Sequence, residues 1–155
     1  MTLRENLQHD AVEALRVLEP AEIEEDGVVS EAIRLMRERS IGCVVVTRNG
    51  SPVGILTERD ILTKVVSENL PGRTAISAVM TSPAELLQEG CSVSTVIQRM
   101  HKGGFRHMPV VDASNKLLGV VSIKGIVEYI VEHFPSAVFN VPPDEAPEQV
   151  AREGA

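Results

Sequence analysis

Val29, Ala32, Ile33 and Met36 return 64 residues later as Val93, Val96, Ile97 and Met100. Both sets follow the i, i+3, i+4, i+7 spacing of one helix face. The register holds through the next segment, where "IGCVVV" (41–46) falls on "FRHMPV" (105–110). It then slips by one, because the connection "DASNK" is one residue longer than "RNGSP". A single added residue is harmless in a turn; in a strand it would send every following side chain to the opposite face. At the new shift of 65, "GILTERD" (54–60) falls on "GVVSIKG" (119–125). Ile61, Leu62, Val65 and Val66 then fall on Ile126, Val127, Ile130 and Val131. The chain is one unit written twice.

Each unit reads as a short extended segment, a helix, a strand, a tight turn, a strand and a helix. The strands are near-continuous runs of Val, Ile and Leu, the pattern of strands buried on both faces. Units of about 55 residues are small for independent stability. The expected fold is therefore α/β, of the α+β kind: two βαββα units packed through their sheets about a pseudo-two-fold axis. Residues 1–16 read as an added N-terminal helix, with Leu3, Leu7 and Ala11 on one face. The first unit takes 17–70, a linker with Pro71 and Gly72 takes 71–78, and the second unit takes 79–134. The tail 135–155 is rich in Pro and acid and is expected to be mobile.

Several function classes are disfavoured. The net charge of -7 argues against a partner bound through nucleic-acid phosphates. Aromatics make up 3% and Trp is absent, which leaves little for base stacking. Apolar runs such as "LLGVVSI" fall far short of the roughly 20 residues of a bilayer span. The N-terminus is charged and amphipathic, with no apolar signal core. Cys43 lies within "CVVV" and reads as a buried reduced thiol, so a cytoplasmic protein is expected. His9, His101, His107 and His133 stand at no metal-ligand spacing, and neither Cys43 nor Cys91 lies in a C-x-x-C. No nucleophile, base and orienting group come together in the sequence, so no enzyme is expected.

The seam between strand and helix in the first unit carries Thr57, Glu58, Arg59 and Asp60. Two readings are open. Thr57 with an acid three residues on is a capping box in outline. The same place is also a ready anion site, because the first backbone N–H groups of a helix lack intrahelical partners. A Thr hydroxyl adds a donor, and an ionised Asp60 can accept both hydroxyls of a ribose. The two roles are compatible.

A duplicated unit with a strand ending in G-h-h-[ST]-x-x-[DN] resembles the CBS domain pair, or Bateman module. The resemblance rests on "IGCVVV" with "GILTERDI" and on "FRHMPVVD" with "GVVSIKG", and it covers about Val17 to Phe134. With no further domain in the sequence, it is to the stand-alone type. It implies a regulatory module that holds AMP, ADP or ATP between its units, with NAD or S-adenosylmethionine as lesser candidates. No metal is implied beyond Mg with ATP. It also implies a homodimer and an effector protein that no residue names.

Carried over by position, the family's phosphate and ribose roles fall on Thr57 and Asp60. The second unit departs from the pattern: it keeps Ser122 but has Gly125 in place of the acid, so its cleft is expected to be degenerate. Arg106, His107 and Lys124, with Ser122, are candidates to meet the phosphates of a nucleotide held by Asp60. A similar arrangement occurs in the γ subunits of the AMP-sensing kinase. The alternatives are a solvated strand end for Arg106 and His107 and a surface lysine for Lys124. Ile41, Gly42, Cys43 and Ile55 are candidates for an adenine slot, with plain strand core as the alternative. A ligand-free structural or protein-interaction module is the rival reading of the whole chain.

Overall fold

The computed structural model describes residues 2–134. The expected mobile tail lies outside them. Within them the chain runs α1 (Leu3–His9), β1 (Val17–Leu18), β2 (Glu22–Glu24), α2 (Val29–Arg39), β3 (Cys43–Arg48) and β4 (Ser51–Thr57). Helix α3 starts at Glu58–Asp60 and continues as a wider π-type helix over Ile61–Val66. Then follow β5 (Leu87–Gln88), α4 (Val93–Gly103), β6 (His107–Val111), β7 (Leu117–Ser122) and α5 (Ile123–His133). Short 3₁₀ turns at Val12–Ala14 and Ile76–Ala78 complete the described chain.

Two sheets form, in the orders β2-β3-β4 and β1-β7-β6-β5. In each, the extended segment lies parallel to the central strand, and a hairpin supplies the antiparallel neighbour. The first hairpin turns through Asn49 (φ 52°) and Gly50 (φ 80°), two positive-φ residues whose twist suits a two-residue connection. Both hairpins slip register at the same repeat position, after Val46 and after Val110.

The four helices of the units cap the sheets by their apolar stripes. Val29, Ala32 and Met36 of α2 pack with Val44, Val46 and Leu56; Val93, Val96 and Met100 of α4 pack with Met108, Val110 and Val121. The opposite sheet faces meet in a third core of Cys43, Val45, Ile55, Val111, Leu117 and Val120. Val44, Val45 and Val46 are each 0% exposed, which explains why β3 carries no polar alternation.

The cores do not follow the expected chain boundaries. β1, at the opening of the first unit, pairs with β7 of the second: Val17 faces Val121 and Leu18 faces Val120. Thr81, at the opening of the second unit, exchanges backbone hydrogen bonds with Ile55 of the first (3.0 and 2.9 Å). Val12 and Leu15 likewise belong to the second core, and Ile76 and Val79 to the first. Each folded unit thus takes its last edge from residues around the opening of the other.

The crossing explains two glycines. A Cβ at Gly54 would lie 2.7 Å from Met80 Sδ and 3.0 Å from the Thr81 carbonyl oxygen. At Gly119 it would lie 2.2 Å from Val17 Cγ1 and 2.8 Å from the Leu18 carbonyl oxygen. Each glycine lets the borrowed edge lie close against the sheet.

Candidate functional site

The strand β4 delivers Thr57 in extended conformation to the first turn of α3. Its hydroxyl accepts from the Asp60 N–H (3.1 Å), and its own N–H donates to Asp60 Oδ2 (3.0 Å). The capping box is thus complete. The Thr57 hydroxyl also donates to Oδ2 (3.1 Å). Asp60 is only 8% exposed. A buried carboxylate needs partners for all its lone pairs, and two more residues supply them. The Thr81 hydroxyl donates to Oδ1 (3.2 Å), and Lys64 Nζ lies 3.2 Å from the same oxygen. Lys64 also donates to Thr81 Oγ1 (3.4 Å). Asp60 therefore ties the start of α3, its next turn and the opening of the second unit at Thr81 to one point.

Gly42 and His107 meet across the units. A Cβ at Gly42 would lie 3.2 Å from the His107 ring and 3.6 Å from Glu58 Oε1, so the absence of a side chain there seats the imidazole. Burial holds the His107 pKa below its ordinary 6.5; the Glu58 carboxylate works against this and the Arg106 guanidinium with it. Cys43 and Ile55 lie in the inter-sheet core. Burial, then the nearby Glu58 charge, pushes the Cys43 thiol up to about 12, so it stays protonated and inert at neutral pH.

The four residues expected to shape an adenine slot are thus divided. Cys43 and Ile55 face the other sheet, and Gly42 faces His107. Ile41 instead packs on the helix side, lining a groove of about 280 Å³ with Ile33, Met36, Arg37, Glu58 and Ile61. Ile41 and Gly42 precede β3, whose pleat begins at Cys43; the Ile41 N–H still donates to the Met36 carbonyl (3.1 Å), so the turn out of α2 sets where Ile41 packs. Among the phosphate candidates, Ser122 caps α5 by accepting from the Gly125 N–H (3.2 Å). Arg106 and Lys124 are exposed. Arg106 is tied to this turn through its carbonyl, which accepts from Ile123 N–H (2.9 Å).

Glu58, Lys64 and Thr81 were not singled out by the sequence. Lys64 carries a signal, the acid-to-base i,i+4 spacing from Asp60. Thr81 carries none, because its contact with Asp60 exists only once the linker has folded back beside β4.

A family model described as "CBS domain" matches residues 12–67 and 76–132. An uncharacterized protein of Methanopyrus kandleri is 37% identical over 95 residues, covering 60% of this chain and 48% of that protein. The chain spans about half the length of that relative, and 15% of a meiotically up-regulated protein of Schizosaccharomyces pombe. Among solved structures, a putative signal-transduction protein with CBS domains from Burkholderia ambifaria superposes with a TM-score of 0.68 at 27% identity, covering 86% of this chain and 96% of that one. A CBS domain protein of Pyrobaculum aerophilum, complexed with AMP, gives 0.67 at 26%, covering 73% and 86%. With two matched segments, a crossed pair of sheets and a capped Thr57–Asp60 seam in the first of them, the chain belongs to the CBS domain family and carries the domain twice in tandem.

Proposed function

We propose that the chain is a regulatory module that binds one adenine nucleotide, AMP, ADP or ATP, between its units. The observation that carries this reading is the Asp60 carboxylate, buried at a helix start beside the seam of the two sheets. Asp60 takes the ribose hydroxyls, and the Thr57 hydroxyl with the first N–H groups of α3 takes phosphate. His107 reaches Gly42 from the second unit, so a ligand there touches both halves. Arg106, Lys124 and Ser122 supply further phosphate contacts from the second unit. Gly42 supplies a flat approach for the base, with Cys43 and Ile55 behind it. The AMP complex of the Pyrobaculum aerophilum protein supports the ligand class.

Binding acts as a signal when it favours one arrangement of the two units over another. We place the module in the cytoplasm, since both cysteines are free. No described helix is long and apolar enough to cross a membrane. A second copy is the partner for the exposed apolar residues Leu62 (63%) and Val66 (62%) of α3 and, at their repeat positions, Val127 (55%) and Val131 (37%) of α5.

Thermal unfolding with millimolar AMP, ADP, ATP and NAD tests the reading. A ligand that binds only the folded chain stabilises it by about 2.7 kcal/mol at a hundredfold excess over Kd. If none of the four moves the midpoint, the rival reading stands. That rival, a ligand-free interaction module, is favoured by one observation: protein donors already satisfy Asp60. Arg106→Ala is expected to weaken ATP more than adenosine; equal loss removes Arg106 from the phosphate site.

A further inference from the structure

Asp60 has two oxygens and about four acceptor positions. The Thr57 N–H and hydroxyl take positions on Oδ2, and Thr81 and Lys64 crowd Oδ1. The Thr57 contacts belong to the capping box and hold the helix start, so they are costly to give up. Thr81 is fixed by its backbone to Ile55, and only its hydroxyl can turn away. Lys64 is different. Its side chain is 42% exposed, and a four-carbon stem lets the ammonium swing into water.

A diol that engages Asp60 must therefore take the place of the Lys64 ammonium. We propose that Lys64 is a built-in competitor for the sugar-binding carboxylate, and that it sets the threshold at which a nucleoside binds. The proposal rests on the reading of Asp60 as the ribose site. Thr81 shares Oδ1, so a sugar that displaces Lys64 also disturbs the hydrogen bond tying the linker to α3. Occupancy of the first unit is thereby felt by the segment that leads into the second.

The second unit offers a contrast inside the same chain. At the repeat position of Lys64 stands Tyr129, buried and hydrogen-bonded to Asp10; at that of Asp60 stands Gly125. Leu18 pairs with Val120 as Thr81 does with Ile55. The carboxylate, the ammonium and the hydroxyl are all missing from one copy and all present in the other. This is the pattern of parts that work together.

Calorimetric titration with adenosine isolates the effect, because a neutral nucleoside has no phosphate for Lys64 to attract. Lys64→Met keeps the stem and removes the charge. It is expected to bind adenosine at least about threefold more tightly than the parent chain. Parent affinity is also expected to rise with salt, as the Lys64–Asp60 attraction is screened, and this rise is lost in Lys64→Met. If the parent binds and Lys64→Met binds equally or less tightly, the competitor role is wrong and the nucleotide reading survives. If only Lys64→Met binds, the competitor role holds. If neither binds, both ideas fall. Should Lys64→Met not fold, Lys64→Gln carries the same expectations.

Discussion

The two units share a blueprint and differ in what they do with it. In the first, β4 hands over to a helix that widens into a π-type turn, and its seam is a polar knot of Thr57, Asp60, Lys64 and Thr81. In the second, α5 is a regular α-helix, and its seam is a bare cap of Ser122 on Gly125. The grooves differ as well. Ile41 leaves one open in the first unit, whereas Phe105 stands at the same position in the second and packs into its core. Two copies of one fold thus differ at the same seam: the first buries a carboxylate there, and the second has only the Ser122 cap. Wide helical turns occur often at functional sites, which agrees with the first copy being the working one.

The contrast can be broken by experiment. The largest effect is expected for Asp60→Ala, which removes the proposed ribose acceptor and should lower adenosine affinity by about a hundredfold, or ~2.7 kcal/mol. The reciprocal change, Gly125→Asp, should create no second site. A Cβ at Gly125 would lie 3.3 Å from the Arg16 carbonyl oxygen, so the new carboxylate meets an acceptor where Asp60 meets donors. Titration stoichiometry reads both; two sites in Gly125→Asp would show that the acid alone makes the pocket.

Next come the two close approaches. Gly119→Ala should destabilise the chain by about 1–3 kcal/mol, because its Cβ collides with a backbone oxygen and the branched Val17. Gly54→Ala should cost less, since the nearest atom is the sulfur of the flexible Met80. Urea unfolding measures both, and the reverse order would mean that the two borrowed edges are not held alike. Either change is expected to shift one cooperative transition, because each core contains chain from the far side of the other.

The smallest effect is electrostatic. The folded pKa of His107 is lowered, so protonation favours the unfolded chain. Its contribution to stability is therefore whole above about pH 6.5 and declines as pH falls through that value toward the folded pKa. His107→Gln should flatten this part of the stability–pH curve. An unchanged slope would place the imidazole in water, away from Gly42.

Much of this was readable beforehand, and the reasons are local. Helix faces, hairpin turns and the Thr57–Asp60 cap depend on neighbours within a few residues, and a repeat doubles the signal for each. The adenine-slot set read less well. Ile41, Gly42, Cys43 and Ile55 look like one wall in the sequence, yet Ile41 still belongs to the turn out of α2 and packs on the helix side, while Cys43 opens β3 and packs at the sheet interface. Of the helix expected over 1–16, only Leu3–His9 forms; Ala11 is extended and bridges Ser92, and Val12, 0% exposed, joins the second core.

The sequence by itself determined the two units, their order of elements and the loss of the acid at Gly125, because periodicity and spacing are properties of the chain. Only the tertiary structure decided that the edges cross between units, that His107 rests on Gly42, and that Thr81 reaches Asp60. Those contacts join residues brought close by the folding back of a linker. No local pattern encodes them; they follow from the way two half-cores close over one another.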